Sequence, residues 1–280
     1  MNKQLRIFKV LNIFAFIAMG AVNVAAQTLP LGGMNTAQIS ALYPTLLTPV
    51  GLTFSIWTVI YLLMGWFVIR QTITGDDQAT EKVGWLFALT CALNIAWIIS
   101  WHYQFMLLAT VAIVTLWVCL LQINMKIKDE SWLLKAGFSV YYAWITVATA
   151  VQIFIYLALK IPAIHLRQNA LTITILVLAA MTILGLSKIF SGHDSFFGLT
   201  IDWAIVGIFL SHVGSEGYNK MYPILILVSG LCALILSASL VISVMKNEKK
   251  DPVDDIGEPV KPANEKPNVL DEADELLPEV

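Results

Sequence analysis

Eight long apolar runs, each ended by charge, proline or glycine, make up most of the chain: about 7–26, 51–71, 83–101, 104–124, 135–159, 170–188, 197–213 and 222–245. A helix crosses the hydrocarbon core of a bilayer with roughly 20 mostly apolar residues. Inside hydrocarbon each unpaired backbone N–H or C=O costs several kcal/mol, so these runs are expected to be helices rather than open strands. The pattern predicts an all-α fold, a polytopic membrane helix bundle of about eight transmembrane helices. The shortest run, 197–213, carries an internal acid, Asp202. Residues 1–26, with Lys3, Arg6 and Lys9 before an apolar stretch ending in Val24-Ala25-Ala26, also carry marks of a cleavable signal peptide. The length of the run, and Asn12 and Asn23 within it, favour an uncleaved first span.

Two other segments stand out. Residues 27–50 contain no charge but include Pro30, Gly32, Gly33, Pro44 and Pro49. A connection this long and this uncharged is expected to be packed, lying over the outer mouth of the bundle. Residues 246–280 hold five prolines, eleven acids and no aromatic residue. Such a segment cannot bury enough apolar surface to fold alone and reads as a disordered acidic cytoplasmic tail, with Asp271–Leu277 as a short helix formed on a partner. The expected organisation is a five-helix bundle over 1–160, three further transmembrane helices over 161–245, and the tail over 246–280.

Composition narrows the class. The 280 residues are 58% hydrophobic and 13% charged, with a mean hydropathy of +0.76. A soluble domain has about 45–50% apolar and about 25% charged residues. A disordered chain, a nucleic-acid binder and an ordinary soluble enzyme are thereby excluded. Charge sets the expected orientation. With the N-terminus inside, the inner segments hold 14 of the 17 Lys and Arg, and the outer ones only Lys160, Arg167 and Lys220. The asymmetry predicts a multi-pass protein of the cell inner membrane with both termini cytoplasmic. Cys91, Cys119 and Cys232 lie in apolar runs and read as small buried hydrophobes. His102, His165, His193 and His212 lack metal-ligand spacing, and no nucleophile–base motif is visible. No catalytic residue, metal or cofactor is therefore expected.

The candidate chemistry is aromatic and amide. Eight of nine tryptophans fall between 57 and 144. Trp66, Trp85, Trp101 and Trp132 lie near run ends and read as interface-belt residues. Trp57, Trp97, Trp117 and Trp144 lie deeper, where an indole N–H needs a partner. Trp57 and Tyr61 are four apart; Asn94 and Trp97, and Tyr141 and Trp144, are three apart, so each pair shares a helix face. Thr149 and Gln152 continue near the last of these faces. Such faces on three helices either line one small-molecule cavity or serve as interhelical packing. Asp202, an acid within an apolar run, is a candidate for a proton- or cation-coupled step or for a purely local hydrogen bond.

Three stretches resemble one family. Pro49, Phe54, Trp57 and Tyr61 resemble the start of the second helix of the TspO/MBR family, the tryptophan-rich sensory proteins and the mitochondrial translocator protein. Asn94 and Trp97 resemble its third-helix Asn-x-x-Trp. Tyr141, Trp144, Thr146, Ala148 and Thr149 resemble its fifth-helix Tyr-x-x-Trp-x-Thr-x-Ala-Thr, with Gln152 where asparagine is usual. The likeness covers about 7–160, and Val151, Tyr156 and Lys160 fit a proposed cholesterol pattern. It implies a five-helix core capped by the loop after the first helix. It further implies a receptor or carrier for a flat hydrophobic ligand (porphyrin-, sterol- or lipid-like), with a tetrapyrrole as ligand rather than cofactor. Its ligand-binding residues would be Pro49, Phe54, Trp57, Tyr61, Asn94, Trp97, Tyr141, Trp144, Thr149 and Gln152. The partners expected are the lipid bilayer, the ligand, a second copy in a homodimer and a cytoplasmic partner of the tail. Two rival readings are a secondary transporter using Asp202 and a membrane assembly protein acting through the tail.

Overall fold

The apolar runs do become helices. The computed structural model describes residues 3–73 and 77–248. Its long elements are α1 (Lys3–Thr28), α2 (Thr36–Leu42), α3 (Ile56–Ile73), α4 (Asp77–Val83), α5 (Leu86–His102), α6 (Met106–Lys126), α7 (Trp132–Lys160), α8 (Arg167–Phe190), α9 (Ser195–Val213) and α10 (Pro223–Glu248). Among the described residues, seven helices are long and apolar enough to cross a membrane, or eight if the bent pair α4–α5 is one span. The all-α polytopic bundle is thus the observed fold. Residues 249–280, with most of the expected tail and its Asp271–Leu277 helix, lie outside the described residues.

Helix α7 is the axis of the bundle. It packs against α3, α6 and α9, and is buried along most of its length from Leu134 to Ala158. Helix α5 lies between α1 and α6, and α8 lies on α9. Phe67, Phe87 and Phe138, from α3, α5 and α7, meet edge-to-face with centroids 5.1–6.2 Å apart. Such pairs contribute about 0.5–1.5 kcal/mol each beyond burial. Asn12 on α1 donates to Gln71 on α3 at 3.1 Å, so this asparagine ties two helices together rather than breaking its run.

Between α4 and α5 the axis turns by 53°. Gly84 makes the corner with φ 56°, which glycine adopts without a Cβ clash, and its N–H donates to Thr80 O at 2.8 Å. Ion pairs Lys9–Asp77 and Lys82–Glu130 fix polar α4 against α1 and the α6–α7 turn.

The uncharged connection between α1 and α3 is docked in two pieces. Helix α2 begins with a capping box, Asn35 Oδ1 accepting from Gln38 N and Asn35 N donating to Gln38 Oε1, both at 2.9 Å. Buried Ile39 packs with Trp101, Met106 and Ile155, and Tyr43 donates to Gln104 Oε1 at 2.9 Å. The strap that follows, residues 45–55, lies on α9 and delivers the chain into α3. Trp101 is not a belt residue. It is 8% exposed beneath α2, against the Tyr43 ring, whereas Trp85 and Trp132 are 56% and 66% exposed. The difference arises because the loop covers the α5 end that the apolar run leaves open.

Candidate ligand site

The three aromatic–polar faces meet at Trp57. Its ring stacks on Tyr61 (5.7 Å) and Trp97 (6.2 Å), and stands edge-on to Tyr141 (6.0 Å) and Trp144 (6.4 Å). Phe54, from the last turn of the strap, is T-shaped on Trp144 at 5.6 Å. Six of the ten candidate ligand residues therefore form one ring cluster drawn from α3, α5, α7 and the strap. Tyr141 and Trp144 are buried, Trp57, Tyr61 and Trp97 are half-buried, and Phe54 is 40% exposed. Its rings are buried on α7 and most exposed at Phe54 on the strap, and the indole of Trp57 is in ring contact with neighbours on α3, α5 and α7.

Amide side chains bind the helices around these rings. Asn23 on α1 donates to Asn94 Oδ1 at 2.7 Å, and Asn94 Nδ2 donates to the Tyr141 hydroxyl at 3.2 Å. Trp97 Nε1 donates to Gln152 Oε1 at 3.5 Å, and Gln152 Nε2 donates to Thr110 Oγ1 at 3.3 Å. Asn94, Trp97, Tyr141 and Gln152 thus hold partners within the protein. Tyr61 Oη, Trp144 Nε1 and Thr149 Oγ1 are buried without a hydrogen-bond partner. Leaving such a group unpaired costs about 1–3 kcal/mol. Pro49 is buried in the strap, where its missing N–H needs no partner.

Asp202 is not part of the cluster. It faces α10, its Oδ2 accepting from Ser237 Oγ at 2.6 Å, while its Oδ1 is buried without a partner. Trp117 is satisfied elsewhere, donating to Thr146 Oγ1 at 2.9 Å. Val151 and Tyr156 of the cholesterol-like pattern pack against the Ile39–Trp101 group beneath α2. Cys91, Cys119 and Cys232 are buried free thiols. Among the described residues, no group of three His, Cys, Asp or Glu is placed to hold a metal.

Sequence reasoning missed Asn23 and Thr110. Asn23 carried a usable signal, an amide within an apolar run, because intramembrane amides face neighbouring helices. Thr110 carried none, since most threonines on these helices bond their own i−4 carbonyl, as Thr110 also does to Met106 O at 2.7 Å.

Membrane-length helices around stacked indoles, phenols and amides define the class: a polytopic helical membrane protein with an aromatic centre. The chain belongs to the TSPO-like protein family, whose model matches residues 9–242. The match runs from α1 into α10, so the likeness takes in the last three spans as well as the five that carry the motifs. No curated protein and no solved structure matches the chain.

Proposed function

We propose that this protein is a membrane receptor or carrier that binds a flat, largely apolar ligand (porphyrin-, sterol- or lipid-like) at the Trp57 cluster. The observation that carries the reading is a half-buried Trp57 in contact with four other rings, three of them contributed by α5 and α7. A guest entering here displaces the Trp57 ring from Trp97 and Trp144 and takes over the aromatic contacts those rings make with it. The unpartnered Tyr61, Trp144 and Thr149 groups offer hydrogen bonds to polar atoms on its edge. Asn94, Tyr141 and Gln152 hold the walls in register. The reading includes no covalent step. The basic end of the bundle, with the α1 start and the α6–α7 turn, faces the cytoplasm of a cell inner membrane.

The test is titration of the purified protein with protoporphyrin IX, followed by its Soret band. Saturable binding is expected, weakened about tenfold or more in Trp97→Ala, with the helical signal and melting temperature of the variant close to the parent. Equal affinity in parent and variant would remove the site.

A second reading rests on Asp202, whose unpaired oxygen lies in an apolar helix. Intramembrane acids often serve proton- or cation-coupled steps. It predicts pH-dependent solute flux in proteoliposomes that disappears in Asp202→Asn.

A further inference from the structure

The strap that carries Phe54 into the ring cluster is fastened along α9. The Val50 N–H donates to Gly207 O at 3.0 Å. Trp203 Nε1 donates to Thr53 O at 2.9 Å. The ring N–H of His212, on Nε2, donates to Leu46 O at 3.0 Å, and just beyond α9 the Tyr218 hydroxyl donates to Thr45 O at 2.8 Å. On the strap every partner is a main-chain group, so these bonds fix the path of its backbone whatever side chains it carries. Trp203 and Gly207 are four apart and share a helix face.

Gly207 shows how close the approach is. A Cβ at this position would overlap the Thr53 side chain, with Thr53 Oγ1, Cγ2 and Cβ all nearer than 3.0 Å. Only glycine lets Thr53 settle against the α9 backbone. The far end of the fastening is braced as well. Tyr218 stacks on the fully buried His212 at 4.7 Å, Tyr222 meets His212 edge-on at 5.9 Å, and Arg167, at the start of α8, lies over Tyr222 at 5.2 Å. Between these anchors Thr45, Leu46, Leu47, Pro49 and Thr53 are buried.

We propose that α9 and the turn after it are the latch of the ligand site: Trp203, Gly207, His212 and Tyr218 are positioning residues that hold the strap so that Phe54 stands on Trp144 beside Trp57. On this account the last three helices are working parts of the site, because they set how readily its mouth opens. The effect on ligand traffic rests on the ligand reading above; the fastening of the strap does not.

The experiment uses the full chain in lipid nanodiscs. Trp203→Phe and Tyr218→Phe each delete one donor while keeping an aromatic ring in place, and are combined in a double variant. Gly207→Val disrupts the close approach. Backbone hydrogen exchange over 45–55 reports the strap directly, and stopped-flow mixing with protoporphyrin IX reports ligand traffic. Losing one neutral hydrogen bond should speed strap exchange about tenfold, with exchange in α5–α7 unchanged. The porphyrin association and dissociation rate constants should both rise, whereas a substitution that only destabilises the fold lowers the binding amplitude and leaves those constants alone. Unaltered strap exchange in the double variant and in Gly207→Val would overturn the latch. So would faster strap exchange with porphyrin rate constants equal to the parent's. If the parent binds no porphyrin, the ligand reading fails by itself, and strap exchange alone decides whether α9 holds the strap. The Phe variants keep the test decisive should Gly207→Val not fold.

Discussion

Asn94, beside the ring cluster, and Trp144, within it, differ in what each already satisfies. Asn94 is fully buried and bonded to both Asn23 and Tyr141. Hydrogen bonds between membrane helices contribute about 0.6 kcal/mol on average and up to about 2. Asn94→Ala should therefore cost about 1–2 kcal/mol of stability, read as a lowered melting temperature with or without ligand. Trp144 Nε1 is buried and unpaired, so Trp144→Phe should leave the melting temperature unchanged or raised, while weakening binding of a ligand that carries acceptors. The reverse pattern would exchange the two roles. Tyr218, in the loop after α9, gives a titration at the same scale. Burial and the neighbouring Tyr222 push its hydroxyl up to about 12. Its folded form thus holds the proton more tightly than the unfolded chain, whose tyrosine titrates near 10. Its bond to Thr45 contributes fully below about pH 10 and is lost as pH rises through about 12. The phenolate absorbance of the parent minus that of Tyr218→Phe should accordingly rise only near the upper value. The pairs 57/61, 94/97 and 141/144 were legible because helical spacing alone puts them on one face. Which groups would be satisfied was not, since Asn23 and Thr110 come from helices with no aromatic motif to mark them.

At the scale of the element, the spans were legible because hydrocarbon admits only helices and their length is set by bilayer thickness. Their breaks were less so. The 83–101 run becomes α5, but polar α4 precedes it at an angle because Gly84 adopts a left-handed conformation, and composition carries no sign of which glycine will do this. Gly84→Ala places a Cβ in that conformation at about 1–2 kcal/mol. The variant should lose that much stability in thermal or denaturant unfolding, while porphyrin affinity, set at the opposite end of α5, stays as in the parent. The 27–50 connection was legible as packed from its lack of charge. Its route was not, because the fastening joins main-chain atoms of the strap to side chains about 150–170 positions later, such as Trp203 and His212.

Over the whole molecule the inference concerns orientation. The described ion pairs Lys9–Asp77 and Lys82–Glu130 draw the α1 start, α4 and the α6–α7 turn to one end. That end also receives Lys126, Lys128, Lys135 and Lys188, while Lys160, Arg167 and Lys220 mark the end that carries α2 and the strap. Lys and Arg concentrate on the cytoplasmic side of membrane proteins. On the orientation proposed above, the strap and its α9 latch lie on the outer side, where the proposed hydrophobic ligand would arrive from the outer leaflet or the space beyond it. Since the three native cysteines are buried, single cysteines can be placed as reporters. Lys128→Cys and Met221→Cys lie in turns at opposite ends, and Met221 is 60% exposed. In intact cells a membrane-impermeant maleimide should label Met221→Cys and spare Lys128→Cys until the membrane is opened. The opposite order would invert the bundle, place the mouth of the aromatic cluster on the cytoplasmic side, and make an internally produced ligand the one to test.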